Sequence, residues 1–275
     1  MKTLSPTTVA AVQFASRTLN QSDNLDRIAG CVADAQARGA RLIVFPELAN
    51  TGYVEHADLH ALAEDDCGAT AETLKRLSLK HGVYLAAGFV ERFDGHVYDS
   101  LAFTTPRGQL SIYRKRHLIF WEHFYFRAGT QPLIVSTELG RIGFAICADM
   151  LYQHVWSEYR DKIDLAVISA AWPQCTKSTA FRVGWMLRPS WSLAGEIPSR
   201  IAERLNIPVM FSNQCGPCQV RIPMMGPTTS AAFAGRAGVF DHRGHRLTGE
   251  MAAEGIAISS VLLPQEHAPC ATLSA

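Results

Sequence analysis

The sequence predicts an α/β protein built on a mixed sheet. Short apolar runs rich in Val, Ile, Phe and Ala alternate with segments of helical periodicity, which is typical of strands and helices packed in layers. Turn signals such as Asp94-Gly95 and Arg107-Gly108 lie between residues 89 and 133, which indicates antiparallel hairpins within the sheet. No repeat, low-complexity tract or linker interrupts the pattern. We therefore expect one domain over residues 1–275, with an irregular tail from about residue 264.

The predicted strands are short, apolar and bounded by turn residues. In chain order they are Thr8–Ala15, Arg41–Phe45, Tyr84–Val90, Tyr98–Thr104, Leu110–Tyr113, Leu133–Ser136, Arg141–Ile146, Leu165–Ser169, Val209–Ser212, Ala232–Val239 and Gly255–Leu262. Their apolar composition predicts strands that are buried rather than exposed.

Four segments show the periodicity of helices. Apolar residues at i, i+3, i+4 and i+7 predict the clearest one, Asn24–Arg38. Ser22 or Asp23 can cap its first turn, and Gly39 follows its end. The remaining predicted helices are Thr70–Lys80, Gln153–Tyr159 and Ser199–Leu205. Their alternation with the strands agrees with an α/β fold.

Composition and charge argue against several classes of protein. The 275 residues are 48% hydrophobic and 19% charged, with a net charge of +1 and no Lys/Arg tract, which disfavours nucleic acid as a partner. No apolar stretch reaches the length of a membrane span, and Met1–Pro6 lacks the apolar core of a signal peptide. Seven scattered cysteines do not resemble a disulfide framework. We expect a cytoplasmic protein with reduced thiols and no membrane partner.

Three predicted strands end on a residue suited to chemistry. Glu47 follows the run that ends at Phe45, Lys115 follows the run that ends at Arg114, and Cys147 follows Ile146. Sites in α/β proteins form where strands end at their carboxyl side, so these side chains are candidates for one site. At a strand-to-helix corner, the first free backbone N–H groups point at the thiol. We expect these donors to favour a thiolate and to be able to hold an oxyanion.

Each of these residues also has a structural explanation when it is taken alone. Glu47 is compatible with a solvated loop carboxylate. Lys115 lies in a basic cluster, Tyr113–His117, and such clusters are usually exposed turns. A single Cys such as Cys147 is commonly a small buried apolar residue. The order of all three along the chain, each at a strand end, favours a shared chemical role.

The three segments together resemble the signature motifs of the nitrilase superfamily of carbon–nitrogen hydrolases, in its amidase-like branch. The matching segments are Phe45–Leu48, Tyr113–Leu118 and Ile146–Asp149, and the resemblance extends over nearly the whole chain, for example to Ser169–Pro173. It implies a four-layer αββα sandwich with mixed sheets. It also implies that subunits pair through helices near the Cys147 corner, as a homodimer or a higher homo-oligomer.

The resemblance implies a catalytic triad of Glu47, Lys115 and Cys147. Glu47 is then the general base, Cys147 the nucleophile, and the Lys115 ammonium holds the oxyanion together with the Ala148 N–H. The family carries a second glutamate shortly after the lysine, and Glu122 fits that position. A surface carboxylate remains an alternative for Glu122.

The implied reaction is hydrolysis of a small amide through a cysteine thioester, which requires no metal or organic cofactor. N-carbamoyl amines and nitriles remain open as substrates of the same triad. Aromatic residues near the expected site are candidates for the pocket wall, namely Tyr53, Trp121, Phe124 and Trp172. The chain departs from the family at Met150–Val155, where an aromatic residue, Pro and Glu are common, and this affects the pocket wall rather than the chemistry.

Other functions compete with this hypothesis. Cys215 and Cys218 form a Cys-x-x-Cys motif typical of thiol–disulfide exchange, but the residues that follow are poor helix formers. Isochorismatase-like hydrolases use Asp, Lys and Cys, and Glu47 after Phe-Pro disfavours them. A non-catalytic binding subunit on the same fold is a third alternative. His242 and His245 flank a predicted hairpin turn, which disfavours a metal site there.

Overall fold

The computed structural model describes residues 4–53, 58–119, 122–174, 190–218 and 231–264. The helices are α1 (Gln21–Ala37), α2 (Asp58–Ala61), α3 (Ala69–His81), α4 (Gln153–Tyr159) and α5 (Ser190–Leu205). The strands are β1 (Leu4–Phe14), β2 (Leu42–Val44), β3 (Tyr84–Phe93), β4 (His96–Thr104), β5 (Leu110–Arg114), β6 (Ile134–Thr137), β7 (Gly140–Ile146), β8 (Leu165–Ala170), β9 (Pro173–Gln174), β10 (Val209–Gln214), β11 (Pro217–Cys218), β12 (Ala231–Phe233), β13 (Gly238–Phe240) and β14 (Gly255–Pro264).

The long strands form two half-sheets that are joined at one point. In the first, β1 pairs in parallel with β2 and antiparallel with β14, β2 pairs in parallel with β3, and β3, β4 and β5 form antiparallel hairpins. In the second, β10, β8 and β7 run parallel, with β6 and β13 antiparallel at their flanks. Only the end of β1 reaches β10, through the pairs Gln13–Asn213 and Phe14–Gln214. The predicted mixed sheet is confirmed.

The two half-sheets pack face to face, because strands far apart in the sheet order touch through their side chains. The rings of Phe103 on β4 and Phe144 on β7 lie 5.0 Å apart. Within β2, Leu42 and Val44 face this shared core, whereas Ile43 faces the cluster that includes helices α1 and α3. Helices α4 and α5 contribute to the core of the second half-sheet. The layers are therefore helix, sheet, sheet and helix, which agrees with the expected αββα sandwich.

Several predicted element boundaries were wrong. Asn20, rather than Ser22 or Asp23, caps α1 by accepting a hydrogen bond from the Asp23 N–H. The predicted strand Ala232–Val239 is two strands, β12 and β13, because Gly235 and Arg236 adopt positive φ angles of 60° and 61° that interrupt it.

Helix α5, Ser190–Leu205, includes nine residues before the predicted start at Ser199 and continues through Pro198. A proline inside a helix removes one hydrogen bond, which explains why the sequence predicted a boundary there. None of the described helices combines the length and the apolar character that crossing a membrane requires. The predicted irregular tail lies outside the described residues beyond Pro264.

Candidate active site

The segment that carries Glu47 leaves β2 and runs tightly against β3. The Gly88 N–H donates to the Pro46 carbonyl at 3.0 Å, and Gly88 has no side chain to keep the segment away. A Cβ at Gly88 would lie 2.4 Å from the Leu48 nitrogen and 2.6 Å from the Glu47 Cα. Leu48 itself has a positive φ of 49°. This turn directs Glu47 into the protein, where its side chain has no exposed surface.

Lys115 lies at the centre of the site, one residue beyond β5. Its backbone N–H donates to the Asp99 carbonyl at 2.9 Å, which extends the β4–β5 pairing to the site. Its Nζ donates to Glu47 Oε1 at 2.5 Å and to Glu122 Oε1 at 2.6 Å, and it lies 3.4 Å from Asp99 Oδ2. The structure therefore brings together Glu47 and Lys115, two of the three residues that the sequence places at strand ends.

The charge of Lys115 is stabilised by its surroundings. Burial alone lowers the pKa of a lysine, but the carboxylates of Glu122, Glu47 and Asp99 outweigh burial and hold the pKa of Lys115 well above its usual range. One oxygen from each carboxylate lies within 4.8 Å of the others, a spacing that would also suit a cation. The cation that they surround in this structure is the Lys115 ammonium.

Glu122 is buried and is held from three directions. It opens a short 3₁₀ helix, Glu122–Phe124. Its Oε1 accepts from the Tyr53 hydroxyl at 2.7 Å as well as from Lys115, and its Oε2 accepts from the Ile119 N–H at 2.9 Å. Burial raises the pKa of Glu122, and the Lys115 ammonium opposes that rise. The structure therefore excludes the alternative that Glu122 is a surface carboxylate.

Cys147 directly follows β7 and begins a 3₁₀ helix, Cys147–Leu151, with a positive φ of 46°. Its side chain is buried, and burial followed by the Glu47 charge raises the pKa of the thiol well above its usual value. Lys115 and the Ala171 N–H oppose this rise but do not reverse it. Backbone donation therefore does not by itself produce a resting thiolate, because desolvation is the larger effect. Ala148 follows in the first turn, where backbone N–H groups lack partners within the helix.

The Asp149 carboxylate joins the Lys115 segment to the Cys147 turn. Its oxygens accept from the Ile146 N–H at 3.1 Å, the His117 N–H at 2.8 Å and the Tyr113 hydroxyl at 2.8 Å. These donors come from β5, from the residues after it and from the end of β7. One buried carboxylate therefore fixes the relative positions of Lys115 and Cys147.

The residues after β8 complete the surroundings of Glu47. The Ala171 N–H donates to Glu47 Oε2 at 2.6 Å, and the Trp172 N–H donates to Asn213 Oδ1 at 2.8 Å. Gln214 donates to the Glu47 carbonyl at 3.0 Å. The carboxyl ends of β2, β8 and β10 therefore meet at one edge, as expected for a site in an α/β fold.

The predicted pocket residues differ in how deeply they are buried. Tyr53 and Trp172 are buried beside the site, with 7% of each residue exposed. Phe124 is 63% exposed, so its ring lies at the surface of this chain and does not line an enclosed pocket. Trp121 lies outside the described residues.

Two residues at the site, Asp99 and Gly88, were not predicted from the sequence. Asp99 gives a weak signal, because a charged residue inside the apolar strand Tyr98–Thr104 has no partner visible in the sequence. Gly88 gives no signal, because its role depends on a backbone segment far away in the chain.

The Cys-x-x-Cys motif lacks the structure that a redox role needs. Pro217–Cys218 form strand β11, which pairs with β12, where a thioredoxin-like motif would begin a helix. Cys215 is buried, and burial raises the pKa of its thiol to about 11. Both observations disfavour a reactive thiolate at Cys215.

The αββα sandwich, with a glutamate, a lysine and a cysteine at one edge, agrees with the resemblance of the sequence to carbon–nitrogen hydrolases. The profile of the carbon–nitrogen hydrolase family matches residues 8–260. The chain therefore belongs to the carbon–nitrogen hydrolase family, and the predicted membership is confirmed.

Several curated proteins are similar to part of the chain. A 2-oxoglutaramate amidase from Bacillus subtilis is 30% identical over 171 residues, which are 60% of this chain and 65% of the relative. An (R)-stereoselective amidase from a Pseudomonas species is 34% identical over 146 residues, or 52% of each chain. A nitrilase from Pyrococcus abyssi is 32% identical over 149 residues, which are 52% of this chain and 56% of the relative. The chain thus spans less than two thirds of each of these relatives.

Solved structures share the fold over most of its length. A CN-hydrolase superfamily protein from Xanthomonas campestris with an arsenic adduct in its active site has a TM-score of 0.75 and 21% identity, and the match covers 93% of this chain and 90% of that one. A cysteine-to-alanine mutant of an amidase from Nesterenkonia sp. AN1 in complex with butyramide has a TM-score of 0.76 and 20% identity, with 94% and 91% covered. These similarities support the sandwich architecture.

Proposed function

We propose that this protein hydrolyses a non-peptide carbon–nitrogen bond of a small amide, and that Cys147 is the nucleophile. The products are ammonia or an amine and a carboxylic acid. The observation that carries the proposal is the position of the Lys115 ammonium, which bridges Glu47 and Glu122 and interacts electrostatically with Cys147. Family membership and the amidases among the relatives support amide substrates.

In the acylation step, Glu47 accepts the proton of the Cys147 thiol while the sulfur attacks the carbonyl carbon. The base is required because the raised pKa of Cys147 leaves the resting group neutral. The tetrahedral oxyanion is held by the Lys115 ammonium and the Ala148 N–H. Each such donor typically stabilises a transition state by ~3–4 kcal/mol.

In the second half of the reaction, the tetrahedral intermediate collapses and the carbon–nitrogen bond breaks. Glu47 returns its proton to the departing nitrogen, which leaves as ammonia or an amine and leaves a thioester on Cys147. Glu47 then accepts a proton from water, whose oxygen attacks the thioester. The sulfur departs and regains a proton, and the carboxylic acid is released.

Glu122 acts by orienting Lys115 or the substrate nitrogen in this proposal. Its Oε1 accepts from both Lys115 and Tyr53, so the ammonium has a fixed direction. Tyr53 and Trp172 form part of the substrate pocket, and we retain Trp121 as a proposed member.

The proposal is tested by trapping the covalent intermediate. We expect a panel of small amides to include one that releases ammonia and adds an acyl mass to the Cys147 peptide after rapid quenching. Cys147→Ala should abolish both signals, and Glu47→Gln should keep the fold and lose turnover by roughly 10²–10⁴-fold. Full turnover in Cys147→Ala, without any adduct on the wild-type peptide, would exclude the mechanism. N-carbamoyl amines and nitriles are assayed beside the amides, and a preference for either class would assign that alternative substrate.

We also propose that the protein is a cytoplasmic homodimer that pairs through the face formed by α4, α5 and the Cys147–Leu151 turn. A surface cavity of about 330 Å³ lies there and is lined in part by Met150, Trp156 and Ile201. Leu151 is 50% exposed next to it. A second subunit that covers this face would bury these apolar groups. Cys31, Cys67, Cys147 and Cys215 are free thiols, which agrees with a reducing compartment.

A further inference from the structure

Asp99 is a buried acid at the site that the reaction steps above do not use. Its side chain has no exposed surface, and neither carboxyl oxygen accepts a hydrogen bond from any described residue. Its Oδ2 lies 3.4 Å from Lys115 Nζ, whereas oxygens of Glu47 and Glu122 lie 2.5 Å and 2.6 Å from the same atom. Asp99 is therefore the acid that binds the ammonium least closely.

The strand register fixes Asp99 on the side of the sheet that carries the site. In the β3–β4–β5 ladder, Val90 lies opposite Asp99, and the Lys115 N–H donates to the Asp99 carbonyl. Side chains alternate along a strand, so the next residue, Ser100, points to the other face. There its hydroxyl donates to Glu91, which forms a separate ion pair. The backbone geometry of β4 therefore places the Asp99 side chain beside Glu47, Lys115 and Glu122.

The charges around Asp99 do not balance if every acid is ionised. The titratable groups that face it are Glu47 from the segment after β2, Lys115 after β5 and Glu122 on the 3₁₀ helix. Three carboxylates with one ammonium would leave two negative charges uncompensated in a buried site. Closely spaced buried carboxyl groups instead share protons. Burial, followed by the Glu47 charge, raises the pKa of Asp99 well above its usual range, and burial also raises the pKa of Glu122. Glu122 accepts three hydrogen bonds that favour its charged form and Asp99 accepts none from the described residues, so Asp99 is the acid that keeps its proton.

A proton on Asp99 would allow a hydrogen bond between the Asp99 hydroxyl and the Glu47 carboxylate. Glu47 has about four lone-pair positions. Lys115 and the Ala171 N–H each occupy one of them, which leaves positions for an Asp99 hydroxyl and for the Cys147 thiol proton. An ionised Asp99 would instead attract the third N–H of Lys115, which the oxyanion requires.

We propose that Asp99 is a neutral carboxylic acid that donates a hydrogen bond to the Glu47 carboxylate and so positions Glu47 to accept the thiol proton. This inference rests on the proposed function. Asp99 acts through Glu47 and not on the substrate, so it is a positioning residue.

The test compares Asp99→Ala, which removes the donor, with Asp99→Asn, which keeps a neutral donor of the same shape. The substrate-independent measurement is the rate at which iodoacetamide alkylates Cys147 across pH, followed by mass spectrometry. For Asp99→Ala we expect the rate at neutral pH to fall roughly tenfold. The acidic limb of the pH–rate profile of this variant should move to higher pH by about one unit. Without the hydrogen bond from Asp99, the Glu47 carboxylate is protonated more readily. Asp99→Asn should restore the wild-type profile, and kcat/KM should follow the same pattern.

Glu91→Gln is the matched control, because it neutralises a buried acid on the opposite face of the same strands. It should lower stability through its lost pairing with Arg114 and leave the pH profile of alkylation unchanged. The inference is overturned if both Asp99 variants move the acidic limb to lower pH, since that result identifies an ionised carboxylate. It is also overturned if Asp99→Ala changes nothing.

If Asp99→Ala does not fold, infrared difference spectra decide between the two states. The wild type should show the carbonyl band of a protonated carboxyl group, which Asp99→Asn loses and Glu91→Gln keeps. Absence of this band from the wild type would overturn the inference. A wild type that shows the band and the alkylation pattern but hydrolyses no member of the amide panel would contradict the proposed function and leave the inference standing.

Discussion

At the level of single residues, the site depends on two backbone conformations that residues other than glycine rarely adopt. Leu48 and Cys147 have φ angles of 49° and 46°, and each is adjacent to or part of the proposed catalytic group. Such conformations typically cost about 1–3 kcal/mol each, and they persist where the surrounding structure enforces them. For Leu48, the enforcing contact is Gly88, against which the Glu47 segment packs.

We predict that Gly88→Ala reduces both catalysis and stability. The new Cβ would overlap the Leu48 nitrogen and the Glu47 Cα, so the segment must move away from β3. A displacement of this size at a catalytic group can lower kcat/KM by roughly 100-fold. Urea unfolding should show a loss of ~1–3 kcal/mol.

The control for this prediction is Gly30→Ala on the exposed side of α1, where a Cβ would meet nothing within 4 Å. It should raise the free energy of unfolding by ~0.5–1 kcal/mol and leave kcat/KM unchanged. Equal kcat/KM for Gly88→Ala and the wild type would show that the Glu47 segment tolerates the displacement.

The sequence was sufficient to predict that Glu47, Lys115 and Cys147 lie at or just beyond the ends of apolar strands, and their catalytic roles stay a prediction. It was not sufficient for Asp99, whose partners come from segments distant in the chain. Nor could it predict the protonation of Cys147, because burial depends on how the two half-sheets pack. Local position is visible in a sequence, whereas desolvation is a property of the folded chain.

At the level of elements, the site requires that the end of β5 and the end of β7 keep a fixed separation. Asp149 provides this connection by accepting hydrogen bonds from both segments. Arg116 adds a second connection, a bidentate ion pair with Glu158 on α4. The Asp149 contacts are buried, so the loss of that carboxylate would leave buried donors unpaired.

We predict that Asp149→Ala lowers the free energy of unfolding by about 3 kcal/mol. In the folded fraction, kcat/KM should also fall, because the Cys147 turn is no longer fixed relative to Lys115. Chemical denaturation and initial rates measure the two effects. Asp241→Ala is a suitable control, since Asp241 accepts from the Arg243 and His245 N–H groups in an exposed turn far along the chain. It should cost about 1 kcal/mol and leave kcat/KM unaltered. Unchanged kcat/KM in folded Asp149→Ala would refute the positioning role.

The predicted elements were most accurate where apolar periodicity is strong and least accurate where a single residue changes the backbone. Gln153–Tyr159 has the predicted bounds. Helix α5 was shortened in the prediction because Pro198 resembles a boundary, whereas in the structure the helix continues through this residue. Gly235 and Arg236 divide a predicted strand through positive φ angles that no periodicity reveals.

At the level of the whole molecule, the proposed dimer face and the catalytic turn share residues. The Cys147–Leu151 helix begins with the nucleophile and ends with the half-exposed Leu151. Association through this face would therefore restrain the turn that holds Cys147, and the separated subunit would be a weaker catalyst.

We predict that Leu151→Lys produces a monomer with a lower kcat, because it adds a positive charge to a face that already carries Arg200 and Arg204, and association would bury that charge without a partner. Light scattering coupled to size-exclusion chromatography measures the mass, and initial rates measure kcat. Leu79→Lys is the matched control, since Leu79 is 58% exposed on α3, in the opposite outer layer. It should remain a dimer. A monomeric wild type would refute the proposed assembly.

The pairing of β1 with β14 has a consequence for how the protein is made. Residues from Leu4 to Gln13 align with residues from Pro264 back to Gly255, so strands from opposite ends of the described chain are neighbours. On a ribosome β1 emerges long before β14, because all the other described strands and helices lie between them in the chain. Until β14 emerges, one edge of β1 presents unpaired backbone groups, which are sites for association with other chains. We expect the nascent chain to depend on shielding of that edge, and the half-sheet to close only after β14 has left the ribosome.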